Sequence, residues 1–239
     1  MTKKVFITGA SRGIGRAIAH TFAKEGYDVY MVCKNNLASM QEFASYLQES
    51  YGIHTSCYAV DLGDLEAVEK LLDTLPEMDV IINNAGISYV GLLTDMTLRE
   101  WNQIVNVNLN SAFLTCRKFL PAMIRKQSGH IINISSVWGN VGASMEVAYS
   151  ATKGGINSFT KALAKEVAPS HVQVNAIACG LIDTDMNACF SEEDLETVIA
   201  EIPADRIGRP EEVAALCLQL VQAPGYLTGQ VITLDGGWI

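Results

Sequence analysis

The stretch Thr8-Gly9-Ala10-Ser11-Arg12-Gly13-Ile14-Gly15 places the tightest limit on how this chain can fold. It follows an apolar run at residues 5–8 and opens an amphipathic segment at 15–24, so its glycines, spaced G-x-x-x-G-x-G, stand at a strand-to-helix turn. Glycine lets the backbone turn sharply and come close to a pyrophosphate, and the free N–H groups and dipole of the following helix start favour its negative charge. Three glycines alone also suit simple tight packing of strand on helix. Their position directly after the first strand points instead to dinucleotide binding.

The rest of the chain repeats the same alternation. Short aliphatic or β-branched runs at 5–8, 29–33, 56–60, 80–82, 130–135, 172–178 and 231–234 read as strands. Helical spacing of apolar residues occupies 15–24, 36–49, 65–73, 101–126, 150–167 and 211–222. The pattern predicts an α/β fold, a single Rossmann-type, doubly wound, parallel seven-stranded sheet with helices on both faces. No Pro/Ser-rich linker or repeat interrupts it, and 239 residues suffice for one core, so residues 1–239 are expected to form one dinucleotide-binding and catalytic domain. The acidic residues between 192 and 212 read as a solvated helix face or as part of a substrate cover at about 185–205.

Charge and residue types exclude several functions. With 17 basic against 26 acidic residues, the net charge of -9 disfavours binding to nucleic acid or to anionic membranes. The N-terminal residues hold no long apolar h-region and no cleavage site, and the six cysteines, at 33, 57, 116, 179, 189 and 217, include no Cys-x-x-Cys pair. Both features predict a reduced, cytoplasmic setting. The histidines at 20, 54, 130 and 171 have no metal-ligand spacing with one another or with the cysteines, so no metal site is expected.

The end of the second strand bears on cofactor choice. A carboxylate there would bond a ribose 2′-hydroxyl, but Cys33 and Lys34 occupy the place. A 2′-phosphate would meet no repulsion, and Arg12 and Lys34 could both offer it positive charge. NADP(H) is therefore expected over NAD.

Further along, Tyr149-Ser150-Ala151-Thr152-Lys153 sets a phenol and an amine one helical turn apart on a shared face. Chance alone would give a Tyr-x-x-x-Lys about one time in three in such a chain, and a serine thirteen residues upstream, here Ser136, lowers that to about 0.02. An ammonium at about 4 Å and an effective dielectric of 20 would favour a phenolate by at most ~4 kcal/mol. Tyr149 is accordingly predicted to be more acidic than a free phenol, and so able to exchange a proton with a carbonyl or alcohol oxygen.

Together, the Thr8-to-Gly15 turn, Asn83-Asn84-Ala85-Gly86, Ser136, Tyr149/Lys153, Tyr226-Leu227-Thr228-Gly229-Gln230 and Asp235-Gly236-Gly237 resemble the short-chain dehydrogenase/reductase family, in family order and nearly end to end. The resemblance implies a catalytic tetrad of Asn108, Ser136, Tyr149 and Lys153. In it Ser136 bonds the substrate oxygen, Lys153 also meets the nicotinamide ribose, and Asn108 positions a water in a relay to Lys153. It also implies cofactor contacts from Gly9, Ser11, Arg12, Gly13, Ile14, Gly15, Lys34, Asp61, Leu62, Asn83, Ala85, Gly86, Ile182 and Thr184.

One departure is Cys179, which stands where the family usually has proline before Gly180. Losing proline should loosen the segment carrying Ile182 and Thr184. The thiol itself reads as a passive small residue rather than a reactive group.

Substrate contacts are expected from the variable edges at 88–92, 138–146 and 185–202, where Trp138, Met145, Met186 and Phe190 suggest an apolar pocket. By length and motif wording the chain is most similar to the 3-oxoacyl-acyl-carrier-protein reductases. Those enzymes present arginines to an acidic carrier before the fifth and sixth strands, whereas this chain has Gln127-Ser128 and Ser170-His171, with Arg125 and Lys126 as nearby cations. A free ketone, steroid, sugar or CoA-linked substrate is the alternative, with acyl carrier protein a partner only in the first case. A non-catalytic nucleotide-binding regulator is a reading of another class, against which the intact Ser136, Tyr149 and Lys153 count. The resemblance further implies a homotetramer, with segments 101–126 and 150–167 in one two-fold interface and the C-terminal strand and helix in another.

Overall fold

The computed structural model describes residues 2–187 and 191–239. Seven parallel strands form one sheet in the order β3-β2-β1-β4-β5-β6-β7, with β1 Lys4–Thr8, β2 Asp28–Cys33, β3 Thr55–Ala59, β4 Val80–Asn83, β5 Gly129–Ser136, β6 Val172–Cys179 and β7 Val231–Leu234. The Rossmann-type parallel sheet read from the sequence is thus present, and the chain reverses its winding between β1 and β4.

Alternate residues of each strand feed two cores, as a period of two demands. Val5, Ile7, Val29 and Met31 pack with Ile18 and Phe22 of α1 (Gly13–Lys24), Met40 and Leu47 of α2 (Leu37–Tyr51) and Cys217 of the late helix Pro210–Gln222. Phe6, Tyr30 and Ile81 face the other way, onto Val68 and Leu72 of α3 (Leu65–Thr74) and onto Phe119 and Met123 of a longer helix described next. Burial on both faces explains why the strands read as continuous apolar runs.

Two helix boundaries differ from the sequence reading. The segment expected as one helix over 101–126 is divided into α4 (Leu98–Val105), a five-residue π turn (Asn106–Asn110) and α5 (Ser111–Lys126). The capping box of Thr97 with Glu100 sets the earlier start. The wider π turn has a side-chain counterpart in Asn108, which bonds outward to other elements rather than to its own helix. The helix expected from residue 150 begins at Val147, following a short α6 (Trp138–Val141), so Tyr149 lies inside the first turn of α7 (Val147–Val167). The acidic segment contains α8 (Glu192–Glu201), capped by Ser191 with Asp194, ahead of α9 (Pro210–Gln222). Among the described residues no helix is long and apolar enough to cross a membrane.

Candidate active site

A cavity of about 850 Å³ opens at the carboxyl ends of β1, β4, β5 and β6, where the strand order reverses and where ligands of such sheets bind. Gly9, Ser11, Arg12, Gly13, Ile14, Lys34, Asp61, Leu62, Ala85, Gly86, Ser136, Tyr149, Lys153, Ile182, Thr184 and Met186 all line it. Gly15, Asn83, Asn108, Trp138 and Met145 are not among its lining residues. Phe190 lies outside the described residues.

The glycine turn is a cradle that side chains would fill. Gly9 and Gly13 have φ of +68° and +52°, in the region that favours glycine. A Cβ on Gly15 would run into the Gly9 carbonyl oxygen and come within 2.6 Å of Asn84 Nδ2. Asn84 Nδ2 donates to the carbonyls of Thr8 (2.9 Å) and Gly9 (3.1 Å), and Thr8 Oγ1 accepts from the Asn84 and Ala85 amides at 3.0 Å each. These bonds lock the β4 turn to the β1 turn. Asn83, by contrast, is buried, donating to Asn133 Oδ1 (2.8 Å) and accepting from Thr115 Oγ1 (2.7 Å).

At the far end Lys34 Nζ lies 2.7 Å from Asp61 Oδ2. Burial works to raise the Asp61 carboxyl, but the bonds from Lys34 and from the Gly63 amide (2.9 Å) outweigh it and hold the group below the usual carboxylate range. Arg12 reaches across the cavity mouth to Asp185, 3.0 Å away. A dinucleotide fits these walls: a bare-backbone cradle for its pyrophosphate and two cations for a further phosphate.

The reacting end gathers Ser136 from β5 with Tyr149 and Lys153 from α7. Ser136 and Tyr149 both line this end of the cavity, and the Ser136 hydroxyl is near enough to act on the phenol. Lys153, 3% exposed, donates from Nζ to the Ile134 carbonyl at 2.8 Å and stands 5.4 Å from the Tyr149 ring centre. Asn108 donates to the Ile87 carbonyl (2.9 Å) and to Thr152 Oγ1 (3.0 Å) while accepting from the Ile87 amide (2.9 Å). Its Oδ1 and Lys153 Nζ both lie close behind Gly86.

The expected acidification of Tyr149 is not what this arrangement gives. Burial pushes the phenol well above its ordinary value, the Ser136 hydroxyl works against the rise, and the neighbouring Cys179 and Glu146 side chains add to it. Burial also brings Lys153 down to about 8, with Cys179 opposing. The lysine does not win because its ammonium is itself desolvated and committed to the Ile134 carbonyl rather than to the phenol. Tyr149 is therefore fully protonated at neutral pH, the state a proton donor needs.

The family model for short chain dehydrogenases matches residues 3–195. The chain belongs to the short-chain dehydrogenase family. It is 39% identical over 240 residues to the uncharacterized oxidoreductase YmfI of Bacillus subtilis (strain 168), covering 100% of this chain and 99% of YmfI. It is also 39% identical over 240 residues to the 3-oxoacyl-[acyl-carrier-protein] reductase FabG of Aquifex aeolicus (strain VF5), covering 98% and 96%. Among solved structures, a candidate NAD(P)-dependent gluconate 5-dehydrogenase from Beutenbergia cavernae, crystallised with NADP at low occupancy, superposes with a TM-score of 0.94. It is 33% identical and covers 99% of this chain and 96% of its own.

As a member of this family, the chain is an oxidoreductase, and its departures from the sequence reading become specific. Cys179 is buried at the end of β6, its thiol pushed up to about 12 by burial against the opposing pull of Lys153; that is a passive group. The segment after it is pinned rather than left loose. Asp183 N donates to Gly208 O (2.8 Å), Gly208 N to Leu181 O (2.9 Å), and Asn187 Nδ2 to Ile182 O (2.6 Å). Trp138 packs edge-on to Trp238, ring centres 5.0 Å apart, and Met145 is a left-handed, exposed residue.

The sequence shows Asn84 only as part of a motif, without its role in joining the two turns, and sets Ser88 and Glu146 on separate substrate edges, without the hydrogen bond that joins their side chains near Tyr149. The doubled asparagine after β4 was a usable signal for the first. Nothing local marked the second, which joins residues 58 positions apart.

Proposed function

We propose that this short-chain dehydrogenase reduces the keto group of a 3-oxoacyl thioester carried on acyl carrier protein. The cofactor is NADP(H). The observation that carries the reading is the convergence of Ser136, Tyr149 and Lys153 on one end of a cavity whose other end holds the glycine cradle and Lys34. The 3-oxoacyl substrate is supported by the 39% identity to FabG of Aquifex aeolicus.

Ser136 holds the substrate oxygen in line with the Tyr149 hydroxyl, and Tyr149, protonated because it is buried, delivers its proton to that oxygen. When bound, the reduced nicotinamide supplies the hydride. Lys153 is held at the site by the Ile134 carbonyl, from where it would bond the ribose of a bound cofactor, and Asn108 sits where it could orient a water towards Lys153. Ile182 and Thr184 close over the nicotinamide, with 185–205 as a cover. Residues 1–239 act as one domain, and the enzyme works as a cytoplasmic homotetramer.

A CoA-linked or free carbonyl compound is a second reading, favoured by the cations expected to meet an acidic carrier. Arg125 and Lys126 are held by Glu77 (2.9 Å) and Asp79 (2.6 Å), which leaves little positive potential for acyl carrier protein. NADPH oxidation with acetoacetyl thioesters in carrier and CoA forms, beside a panel of ketones, tests both. Turnover of the carrier form supports the first reading and turnover of only the CoA form or a ketone the second. No turnover of any β-keto thioester removes the lead substrate.

A further inference from the structure

We propose that Asn157 and Asn140 act as positioning residues that set Ser136 against Tyr149, through one amide that grips the Ser136 segment on both sides. The proposal rests on the proposed catalytic reading of Ser136 and Tyr149.

Those two residues lie on different elements, joined by a connection that includes Gly139 and Gly142, so nothing in the covalent chain fixes their separation. Asn157 adds a constraint to the one that Lys153 Nζ places on the Ile134 carbonyl. It is buried on α7, one turn beyond Lys153 and two beyond Tyr149, and therefore shares their face. Its Oδ1 accepts from Ser135 Oγ at 2.6 Å, with the Lys153 carbonyl a second acceptor for that hydroxyl at 3.3 Å. Its Nδ2 donates to Asn140 Oδ1 at 2.9 Å.

Ser135 immediately precedes Ser136, and Asn140 follows it by four residues. One planar amide thus brackets the whole turn that carries Ser136 and ties it to the helix that carries Tyr149 and Lys153. Gly139, inside the bracket, lets the turn lie flat on α7: a Cβ there would stand 2.7 Å from the Lys153 carbonyl carbon and 3.0 Å from Asn157 Nδ2. The placement of Ser136 beside Tyr149 at one end of the cavity is what this bracket holds in register. Neither asparagine lines the cavity, so their effect is exerted through Ser136 and not on a ligand.

Asn140 is exposed, which makes it the practical handle. Asn140→Ala removes the acceptor for Asn157 Nδ2, whereas Asn140→Asp keeps an acceptor oxygen there. With tyrosines carrying 13C at Cζ, the Tyr149 line is identified by its loss in Tyr149→Phe. It is expected to move in Asn140→Ala and to stay in place in Asn140→Asp. Turnover is expected to fall about tenfold in Asn140→Ala, the worth of roughly one hydrogen bond in the transition state. The KM for NADPH should remain within twofold, and Asn140→Asp should recover most of the rate.

An unmoved Tyr149 line, unchanged turnover in Asn140→Ala, or an equal loss in the alanine and aspartate variants overturns the proposal. The catalytic reading fails separately, if Tyr149→Phe remains active. The carbon line reports the bracket without any substrate.

Discussion

Lys34 Nζ and Asp61 Oδ2 are 2.7 Å apart, so the cation at the end of β2 already has a counter-charge inside the cofactor cavity. Both side chains are substantially exposed, and such pairs contribute about 1 kcal/mol or less. A doubly charged phosphate can displace that partner. Lys34→Ala is expected to weaken NADPH about tenfold and to leave NADH within twofold, read by titrating coenzyme fluorescence. Equal losses for both coenzymes would show that Lys34 does not read the 2′-phosphate.

Removing the proton donor should separate chemistry from binding. Tyr149→Phe keeps the ring in its buried site and deletes only the hydroxyl, so turnover should drop by about 10³ with NADPH affinity within threefold. Rate and coenzyme titration on the same preparation check this.

Lys153 makes a pH-dependent cost visible in stability. Its folded pKa, about 8, lies below the ordinary 10.5. Between those values the unfolded chain binds more protons, so this group makes stability rise with pH across that window and is most costly below 8. Lys153→Met should therefore be more stable than the parent at pH 7, by ~2 kcal/mol after the orphaned Ile134 carbonyl is allowed for, and lose that advantage near pH 10.5. Urea titrations at the two pH values measure it; a gap that does not narrow with pH would count against the burial argument.

Gly15→Ala should abolish useful cofactor binding, weakening NADPH at least 100-fold, because the new methyl meets the Gly9 carbonyl, which cannot yield without reshaping the cradle. Coenzyme titration gives the affinity, and far-ultraviolet circular dichroism shows whether the sheet is retained.

A thiol near 12 has almost no thiolate at neutral pH. Iodoacetamide at pH 7.5 should leave Cys179 unmodified in the native protein, with or without NADPH, as read by peptide mass analysis. Modification that NADPH blocks would show a reactive group.

The sheet was legible because strands buried on both faces tend to be apolar throughout: runs such as Val29 to Cys33 and Val80-Ile81-Ile82 admit few other readings. Gly9, Ser136, Tyr149 and Lys153 were legible because backbone approach and proton exchange each demand particular residue types at fixed spacing. The π turn at Asn106–Asn110 was not, since apolar periodicity barely distinguishes a helix from one widened by a single residue. The acidity of Tyr149 was misread for a related reason. Sequence spacing gives the distance to Lys153 but not the depth of burial, and here depth decides the sign. The contact of Trp138 with the C-terminal Trp238, a hundred residues on, had no local signal either.

The strand order divides the labour of recognition. In the proposed reading the 2′-phosphate is met at the ends of β1 and β2 and the reacting carbon at the ends of β5 and β6, so a preference at one end could change with little penalty to the other. The Arg12–Asp185 contact crosses that boundary. A chain that changed coenzyme by altering Arg12 would also remove a contact to the stretch that follows β6, although the bonds of Asp183, Gly208 and Asn187 would still hold that stretch in place.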